Sequence, residues 1–290
     1  MPNTIDQHPE KHQVRAAFER AAPHYDAAAV LQQEVAARLL ERLQYILLQP
    51  QQVLDLGCGT GQLLKGLRKQ YPASGIVALD LAPGMLKEAR RKQGWLARMR
   101  GPYGYVAGDA ECLPLQDNSI DLLISNLALQ WCGDLPLALG EMRRVLKPGG
   151  LLMFTTFGPD TLQELRDSWS QVDSQPHINR FVDMHDIGDI LLETRFAEPV
   201  MDMEMMTVTY RDVTSIMREL KIIGAHNVVQ GRSRGLTGKG RMQKVIDAYE
   251  NYRQQEVLPV SYEVIYGHAW LPQESEEKGR VQISLSEIGK

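Results

Sequence analysis

The stretch Val53-Leu54-Asp55-Leu56-Gly57-Cys58-Gly59-Thr60-Gly61 holds the densest chemistry in the sequence. Glycines at such a turn let the backbone bend sharply and approach a ligand with no Cβ in the way. The spacing is GxGxG, not the GxGxxG of dinucleotide sites, although a glycine-rich turn taken alone fits either. Asp55 lies two positions ahead of the first glycine. There it would repel a pyrophosphate and accept a hydrogen bond from an ammonium, directly or through water. Asp80 follows 19 residues after Gly61, ending the next apolar run. A carboxylate in that place can take a pair of ribose hydroxyls. Asp109 ends the run after that and can accept from an adenine amino group, with the Ala110 N–H reaching a ring nitrogen. Each acid by itself is equally a turn or helix-cap residue. Three at successive strand ends make a poor coincidence.

These residues need strands that end together. Residues 52–56, 76–80, 103–108, 120–125 and 151–156 read as short apolar strands. Helical spacing recurs over 14–48, 62–70, 83–92 and 135–146, the last closed by Lys147-Pro148-Gly149-Gly150. Alternation of this kind predicts a parallel α/β sheet with right-handed crossovers. Nearly continuous apolar strands imply helices on both faces. After Phe157 the rhythm breaks. Helices are expected over 161–172, 184–194, 212–223 and 241–255, with strands over 200–210 and 262–269. The resulting plan is an N-terminal helical cover (1–48), a cofactor-binding core (49–160) and a first lid insertion (161–182). A late helix and strand (183–210), a second helical lid insertion (211–260), a last strand (261–272) and a flexible tail (273–290) complete it.

Composition narrows the function classes. The chain has 290 residues, 43% hydrophobic and 23% charged, ordinary for a globular protein. That length is near the limit, roughly 250–300 residues, of a single growing core. A domain with a substantial subdomain, or two domains, is expected. No apolar run approaches the roughly 20 residues of a spanning helix. Residues 1–13 lack an apolar signal segment, so a cytoplasmic protein is expected. Cys58, Cys112 and Cys132 have no CxxC spacing, which argues against a disulfide framework or a cysteine metal site. The net charge of −4 disfavours a dedicated nucleic-acid binder.

The glycine loop with its three acids resembles the class I S-adenosylmethionine-dependent methyltransferases, over residues 53–157. The resemblance implies a Rossmann-like fold with a seven-stranded, mostly parallel sheet and helical lid insertions. It places Asp55 and Gly57 by the methionine moiety, with Gly59 and Gly61 in the same loop. Asp80 would hold the ribose, Leu81 and Met85 would pack near the adenine, and Asp109 and Ala110 would read its edge. Asn126, ending the fourth strand, would lie next to the sulfonium. Product S-adenosylhomocysteine would leave the same site.

Methyl transfer needs alignment and dryness more than catalytic groups. The acceptor must therefore be read from what surrounds the fourth strand and the insertions. Gln130 and Trp131 follow that strand. His177, Asn179 and Arg180 cluster in the first insertion, and Arg180 could hold a carboxylate in a bidentate fork. His24 and Tyr25, after a helix and Pro23, could lie over the cofactor. Each has a plainer reading as core, loop or surface residue.

Four stretches together resemble the malonyl-acyl-carrier protein O-methyltransferases of biotin synthesis. They are Ala16 to Tyr25 (AAFERAAPHY), Ser125 to Cys132 (SNLALQWC), Pro176 to Phe181 (PHINRF) and Met217 to Ala225 (MRELKIIGA). The resemblance spans residues 14–270. It implies methyl transfer to the free carboxylate of a malonyl thioester on acyl carrier protein or coenzyme A. That carboxylate is ionised at neutral pH and is its own nucleophile, so no general base and no metal is expected. Arg180, Tyr25 and Trp131 would position it. An acidic carrier calls for a basic face. Arg232, Arg234, Lys239, Arg241 and Lys244 gather with no acid before Asp247; Lys87, Arg90, Arg91, Lys92, Arg98 and Arg100 form a second such group. Neither a nucleic acid nor a membrane is expected as partner. The rival readings are another carboxylate O-methyl or quinone C-methyl transferase, a non-catalytic module on the same fold, and a nucleic-acid methyltransferase.

Overall fold

In a computed structural model, which describes residues 10–94, 103–224 and 238–273, the apolar runs join into one sheet. Its strands are β1 (Gln52–Leu56), β2 (Gly75–Asp80), β3 (Tyr103–Ala107), β4 (Ile120–Asn126), β5 (Leu146–Phe157), β6 (Ala197–Tyr210) and β7 (Leu258–Trp270). They lie in the order β3-β2-β1-β4-β5-β7-β6. The pairings β1–β2, β1–β4, β2–β3 and β4–β5 are parallel. Only β7 runs against the rest, antiparallel to both β5 and β6. The order reverses between β1 and β4, which opens a crevice at the carboxyl ends of the strands.

Alternate side chains along each strand enter opposite layers, as the period of two requires. Val53, Leu122 and Leu151 pack with Leu31, Val35, Leu39 and Leu43 of α3 (Val30–Leu43) on one face. Leu54, Leu123 and Leu152 pack with Leu139 and Met142 of α6 (Leu135–Val145) and Leu191 of α8 (Met184–Glu193) on the other. With both faces covered, the central strands β1, β4 and β5 are nearly continuous apolar runs, whereas the edge strand β6 alternates between half-buried and exposed residues.

The remaining helices are α1 (Lys11–Ala21), α2 (Tyr25–Ala28), α4 (Leu64–Gln70), α5 (Pro83–Lys92), α6 (Leu135–Val145), α7 (Gln163–Ser170), α8 (Met184–Glu193), α9 (Val213–Ile222) and α10 (Lys239–Glu250). Three begin at capping aspartates: Asp134 accepts from Leu137 N at 2.9 Å, Asp183 from His185 N at 2.8 Å and Asp212 from Ser215 N at 2.8 Å. Such caps satisfy backbone donors that the first helical turn leaves open.

Some boundaries differ from the sequence reading. Lys147-Pro148-Gly149-Gly150 does not end the helix before it but belongs to β5, which pairs at Leu146 with Ile120 and resumes after an irregularity. Gly149 sits at φ +77° and donates to Leu271 O at 2.8 Å, so the glycine pair bends a strand where it would more often stop one. The helix expected from Gln62 starts at Leu64, and the one expected over 241–255 runs from Lys239 to Glu250. The two late strands are longer than expected, because they pair with each other from Ala197–Trp270 to Tyr210–Leu258. No described helix is long and apolar enough to cross a membrane. All but Gln273 of the expected tail lies outside the described residues.

Candidate functional site

A pocket occupies the crevice at the carboxyl ends of β1 to β4. Gly57, Gly59, Asp80, Leu81, Met85, Asp109, Ala110 and Asn126 line it. Gly57 adopts φ +69°, and a Cβ there would meet the Cβ of Ala128 at 2.3 Å, so only glycine fits. Asp80 receives Gly59 N at 2.9 Å on one carboxylate oxygen and Ala82 N at 2.8 Å on the other. Burial raises its pKa to about 6 against those two amides. Both oxygens keep a lone pair for a further donor.

Asp55 lies beneath the loop, 1% exposed, and neither carboxylate oxygen has a hydrogen-bond partner. Burial, and then the charge of Asp80, raises its pKa to about 8. Asp55 does not itself line the pocket; an orphaned buried carboxylate is costly, and an ammonium brought close to the loop would relieve it. This chemistry fits a cofactor with an ammonium at one end, a ribose in the middle and an apolar-flanked adenine at the other.

The N-terminal segment closes the opposite side. Lys11, Val14, Phe18 and Tyr25 also line the pocket. Lys11 Nζ lies 2.5 Å from Asp109 and 2.7 Å from Glu111. Burial pulls the Lys11 ammonium down, but the two carboxylates hold it above its usual range. Glu19 accepts from Gly84 N at 2.7 Å at the start of α5. Asp26 accepts from Thr60 Oγ1 at 2.5 Å and pairs with Lys92. Burial, with Asp80 and Asp26 nearby, raises the Tyr25 phenol and keeps it neutral.

A second cavity begins where the first ends, with Trp131 lining both. The Trp131 ring meets Phe18 edge to face, with centroids 5.2 Å apart. Beside it Asn126 is tied down: its Oδ1 accepts from Thr155 Oγ1 at 2.9 Å and its Nδ2 donates to Gln32 O at 3.1 Å. Leu127 follows at φ +49°. For a branched non-glycine residue this conformation costs on the order of 1–3 kcal/mol and often marks a functional site. The second cavity is walled by Phe157, Leu162, Leu165, Trp169, Ile178 and Phe181, and by Met217, Leu220 and Ile223. Its polar lining is Gln32, Thr161, His177, Asn179 and Lys221. His177 stacks on Trp169 at 3.6 Å and bonds Asp173 at 2.8 Å. Burial opposes ionisation of Asp173, yet His177 and Arg241 draw its pKa down to about 2.

Residues 54–154 match the methyltransferase domain family. Over 265 residues the chain is 52% identical to the malonyl-acyl-carrier protein O-methyltransferase of Gallionella capsiferriformans, an alignment covering 91% of each. Over 275 residues it is 54% identical to that of Nitrosospira multiformis, covering 91% of this chain and 90% of the relative. The chain belongs to the malonyl-acyl-carrier protein O-methyltransferase family. Solved structures at lower identity share its fold. The YcgJ protein of Bacillus subtilis superposes with TM-score 0.58 at 14% identity, covering 82% of this chain and all 100% of that one. The cyclase SpnF superposes with TM-score 0.59 at 21% identity, covering 92% and 98%. A cyclase on this fold is a reminder that fold does not fix chemistry.

Within this family frame, the structure sorts the expected site residues. Gly57, Gly59, Asp80, Leu81, Met85, Asp109, Ala110 and Asn126 come together in the first pocket. Gly61 does not line it; at φ +84° its Cα packs toward Leu64 and Ala89, and its part is to seat the loop on α5. Tyr25 reaches the first pocket, Trp131 both, and His177 and Asn179 the second. His24 is exposed and lines neither. Gln130 is turned inward, donating to Leu127 O at 2.8 Å and accepting from Thr156 Oγ1 at 3.3 Å.

Arg180 requires a correction. It is exposed and lines an outer groove with Arg166, not the second cavity. In the extended segment PHINRF, His177, Ile178, Asn179 and Phe181 turn in while Arg180 turns out. Of the expected docking residues, Arg232 and Arg234 lie outside the described residues, as do Arg98 and Arg100 of the second group. Arg241 is paired with Asp173; Lys239 and Lys244 are exposed. Lys92 and Arg91 pair with Asp26 and Glu88. Sequence reasoning missed Lys11, Phe18, Gln32, Phe157, Trp169 and Lys221. Phe18 and Lys221 sit inside stretches already singled out; Gln32 gave no signal, being one glutamine on an amphipathic helix.

Proposed function

We propose that this chain transfers the methyl group of S-adenosylmethionine to the free carboxylate of a malonyl group held as a thioester on acyl carrier protein. The observation that carries the reading is the second cavity. It adjoins the cofactor pocket across Trp131, and among its described lining residues there is no Asp or Glu. An anionic acceptor therefore meets no like charge there.

Asp55 would hold the cofactor's ammonium, Asp80 its ribose, and Leu81, Met85, Asp109 and Ala110 its adenine. When bound, S-adenosylmethionine supplies an electrophilic methyl whose bonding pair stays with sulfur. The malonyl carboxylate is ionised at neutral pH, and its oxygen lone pair makes the new O–CH₃ bond without any proton moving. The chain's own task is placement. Trp131 and Leu127 shape the passage, and the aromatic and aliphatic wall keeps water out. A sulfonium and a carboxylate lose their charges together as they react, and a dry cavity favours that loss.

The methyl ester product carries no charge and would elongate as an ordinary apolar primer toward the pimeloyl precursor of biotin. A cytoplasmic location is part of this reading, because its substrate is a soluble carrier-bound thioester. Lys239 and Lys244, both exposed, would belong to the docking face for the acidic carrier, and Arg180 lines a separate outer groove. The test is radiolabelled methyl transfer from S-adenosylmethionine to malonyl-carrier protein, with malonyl-CoA and quinone precursors as comparisons. Label on the malonyl thioesters is expected. Cofactor binding with no label on either thioester would overturn the reading.

A further inference from the structure

Three spaces stand in series in this fold. Trp131 lines both the cofactor pocket and the second cavity. Trp169, His177 and Ile178 line both the second cavity and the outer groove that holds Arg180. Among the described residues, none lines both the cofactor pocket and the outer groove. The second cavity therefore lies between the other two.

The rim that the cavity shares with the groove is braced. The His177 ring lies flat on Trp169, with centroids 3.6 Å apart and planes 13° from parallel. One oxygen of Asp173 bonds His177 Nε2 at 2.8 Å and accepts from Gln175 N at 2.8 Å; the other pairs with Arg241. Arg241 belongs to α10, which also carries the exposed Lys239 and Lys244. The groove thus adjoins the acceptor cavity and, through Asp173, the basic helix α10. Its lining is of two kinds. Trp169 and Ile178 offer apolar surface, while Ser174, Gln175 and Arg180 are exposed and polar. Arg166 donates to the carbonyls of Pro159 and Thr161 at 2.8 and 2.9 Å. Arg180 makes no hydrogen bond or ion pair among the described residues.

We infer that the outer groove receives the pantetheine arm of the malonyl carrier, its amide carbonyls meeting Arg180 and the polar lining while its apolar stretches lie along Trp169 and Ile178. This rests on the function proposed above. A malonyl thioester has its carboxylate at one end and its arm at the other. With the carboxylate at the Trp131 end, where the methyl donor binds, the thioester points to the Trp169–His177 rim. The arm must then leave through a space beyond that rim, and the groove supplies it. The arm alternates amides with hydrocarbon, and the groove offers surface for both. A guanidinium has five donors and no acceptor, which suits carbonyl oxygens. The arm's phosphate end emerges toward α10 and its lysines, where an acidic carrier would sit.

The test uses the full-length protein with Arg180→Ala and Ser174→Trp. Methyl transfer is measured to the malonyl thioesters of methanethiol, N-acetylcysteamine, pantetheine and the carrier protein, which run from no arm to the whole arm. Wild-type kcat/KM should climb along that series, chiefly through KM. Arg180→Ala should lower kcat/KM about 5–20-fold with the pantetheine thioester, the lower part of the range for a hydrogen bond to a charged group because the groove is open to water. With the methanethiol thioester the loss should shrink to about twofold or less. Ser174→Trp fills the groove from an exposed position, where substitution is well tolerated, and should favour the armless acceptor in the same way. S-adenosylhomocysteine affinity should stay within about twofold of wild type in both. A wild type that labels malonyl-carrier protein, with both variants within about twofold of it on the pantetheine thioester, overturns the inference alone. So does an equal loss on the methanethiol thioester, which would put Arg180 on the malonyl unit. A wild type that binds S-adenosylhomocysteine and labels no malonyl thioester overturns the functional reading beneath it as well.

Discussion

The two cavities that meet at Trp131 are built in different ways. On the cofactor side, the binding groups stand at the ends of hydrogen-bonded strands, and Asp80 is fixed by two backbone amides. On the acceptor side, the walls come from α3, β5, α7, the segment after it and α9. There His177 and Thr161 are hydrogen-bonded, while the amide oxygens of Gln32 and Asn179 have no partner. Rigid strand ends suit a ligand that is always the same. A chamber assembled from helices and a loop can be altered without disturbing the sheet, and it is where one acceptor is chosen over another. On the proposed reading, the difference would separate binding of the methyl donor from choice of the methyl recipient.

The contrast can be broken by substitutions confined to one side. Asp80→Ala removes a charged acceptor for two ribose hydroxyls. At about 1.5–3 kcal/mol per bond, cofactor affinity should fall about a hundredfold or more, read by titration calorimetry with S-adenosylhomocysteine. A loss under tenfold would mean the ribose is held elsewhere. Trp131→Ala strikes the shared wall. Misalignment by about 1 Å can cost about a hundredfold in rate, so kcat/KM should drop by that order while cofactor affinity changes less than about fivefold. Equal losses in both would erase the division at Trp131.

A third measurement sharpens the electrostatic side. Burial raises Asp55 to about 8 and Asp80 to about 6. A carboxyl whose native pKa exceeds its unfolded value of about 4 binds more protons folded than unfolded in between. Its contribution to stability is therefore present below about pH 4 and lost as pH rises through the native value. The cofactor-free wild type should lose Tm between pH 4 and pH 8 relative to Asp55→Asn, whose amide does not titrate. Saturating S-adenosylhomocysteine should narrow the gap by supplying an ammonium. Parallel Tm–pH curves for the two proteins would contradict the burial of a titrating Asp55. The smallest effect belongs to the surface. Lys239→Glu with Lys244→Glu should raise KM for malonyl-carrier protein by about 3–10-fold at low salt and leave malonyl-CoA nearly unchanged, because rim charges act mainly on encounter. Equal change with both substrates would place carrier docking elsewhere.

The same contrast explains what could be read from the sequence. Asp55, the glycines, Asp80 and Asp109 announce themselves because a strand end is a local event: an apolar run stops and a polar or glycine residue follows. Even so, Gly61 proved to seat the loop and not to line the pocket, since spacing does not say which glycine faces a ligand. The acceptor chamber has no local signature. Gln32 and Asn179 are far apart in the chain, and only the packing of α3 against the sheet brings them to one cavity. In PHINRF the residue types were legible but their directions were not, because an extended segment outside a sheet has no period to fix which side chain faces in. Arg180, the most chemically suggestive of the six, turns away, as does Pro176. At Lys147-Pro148-Gly149-Gly150 the usual breaker residues bend a strand, because pairing with β4 and β7 overrides their local preference.

The contacts of the N-terminal helices carry one more consequence. Lys11, Glu19 and Asp26 fasten the cover to three separate parts of the pocket rim: the end of β3, the start of α5 and the glycine loop. Phe18 and Tyr25 ride on the same segment and line the pocket. Ligand exchange at this rim would then involve the fastenings of α1 and α2, whereas the walls of the second cavity are aromatic and aliphatic. The rim is held largely by charge, so added salt should loosen it; the packing around the second cavity is what salt leaves in place.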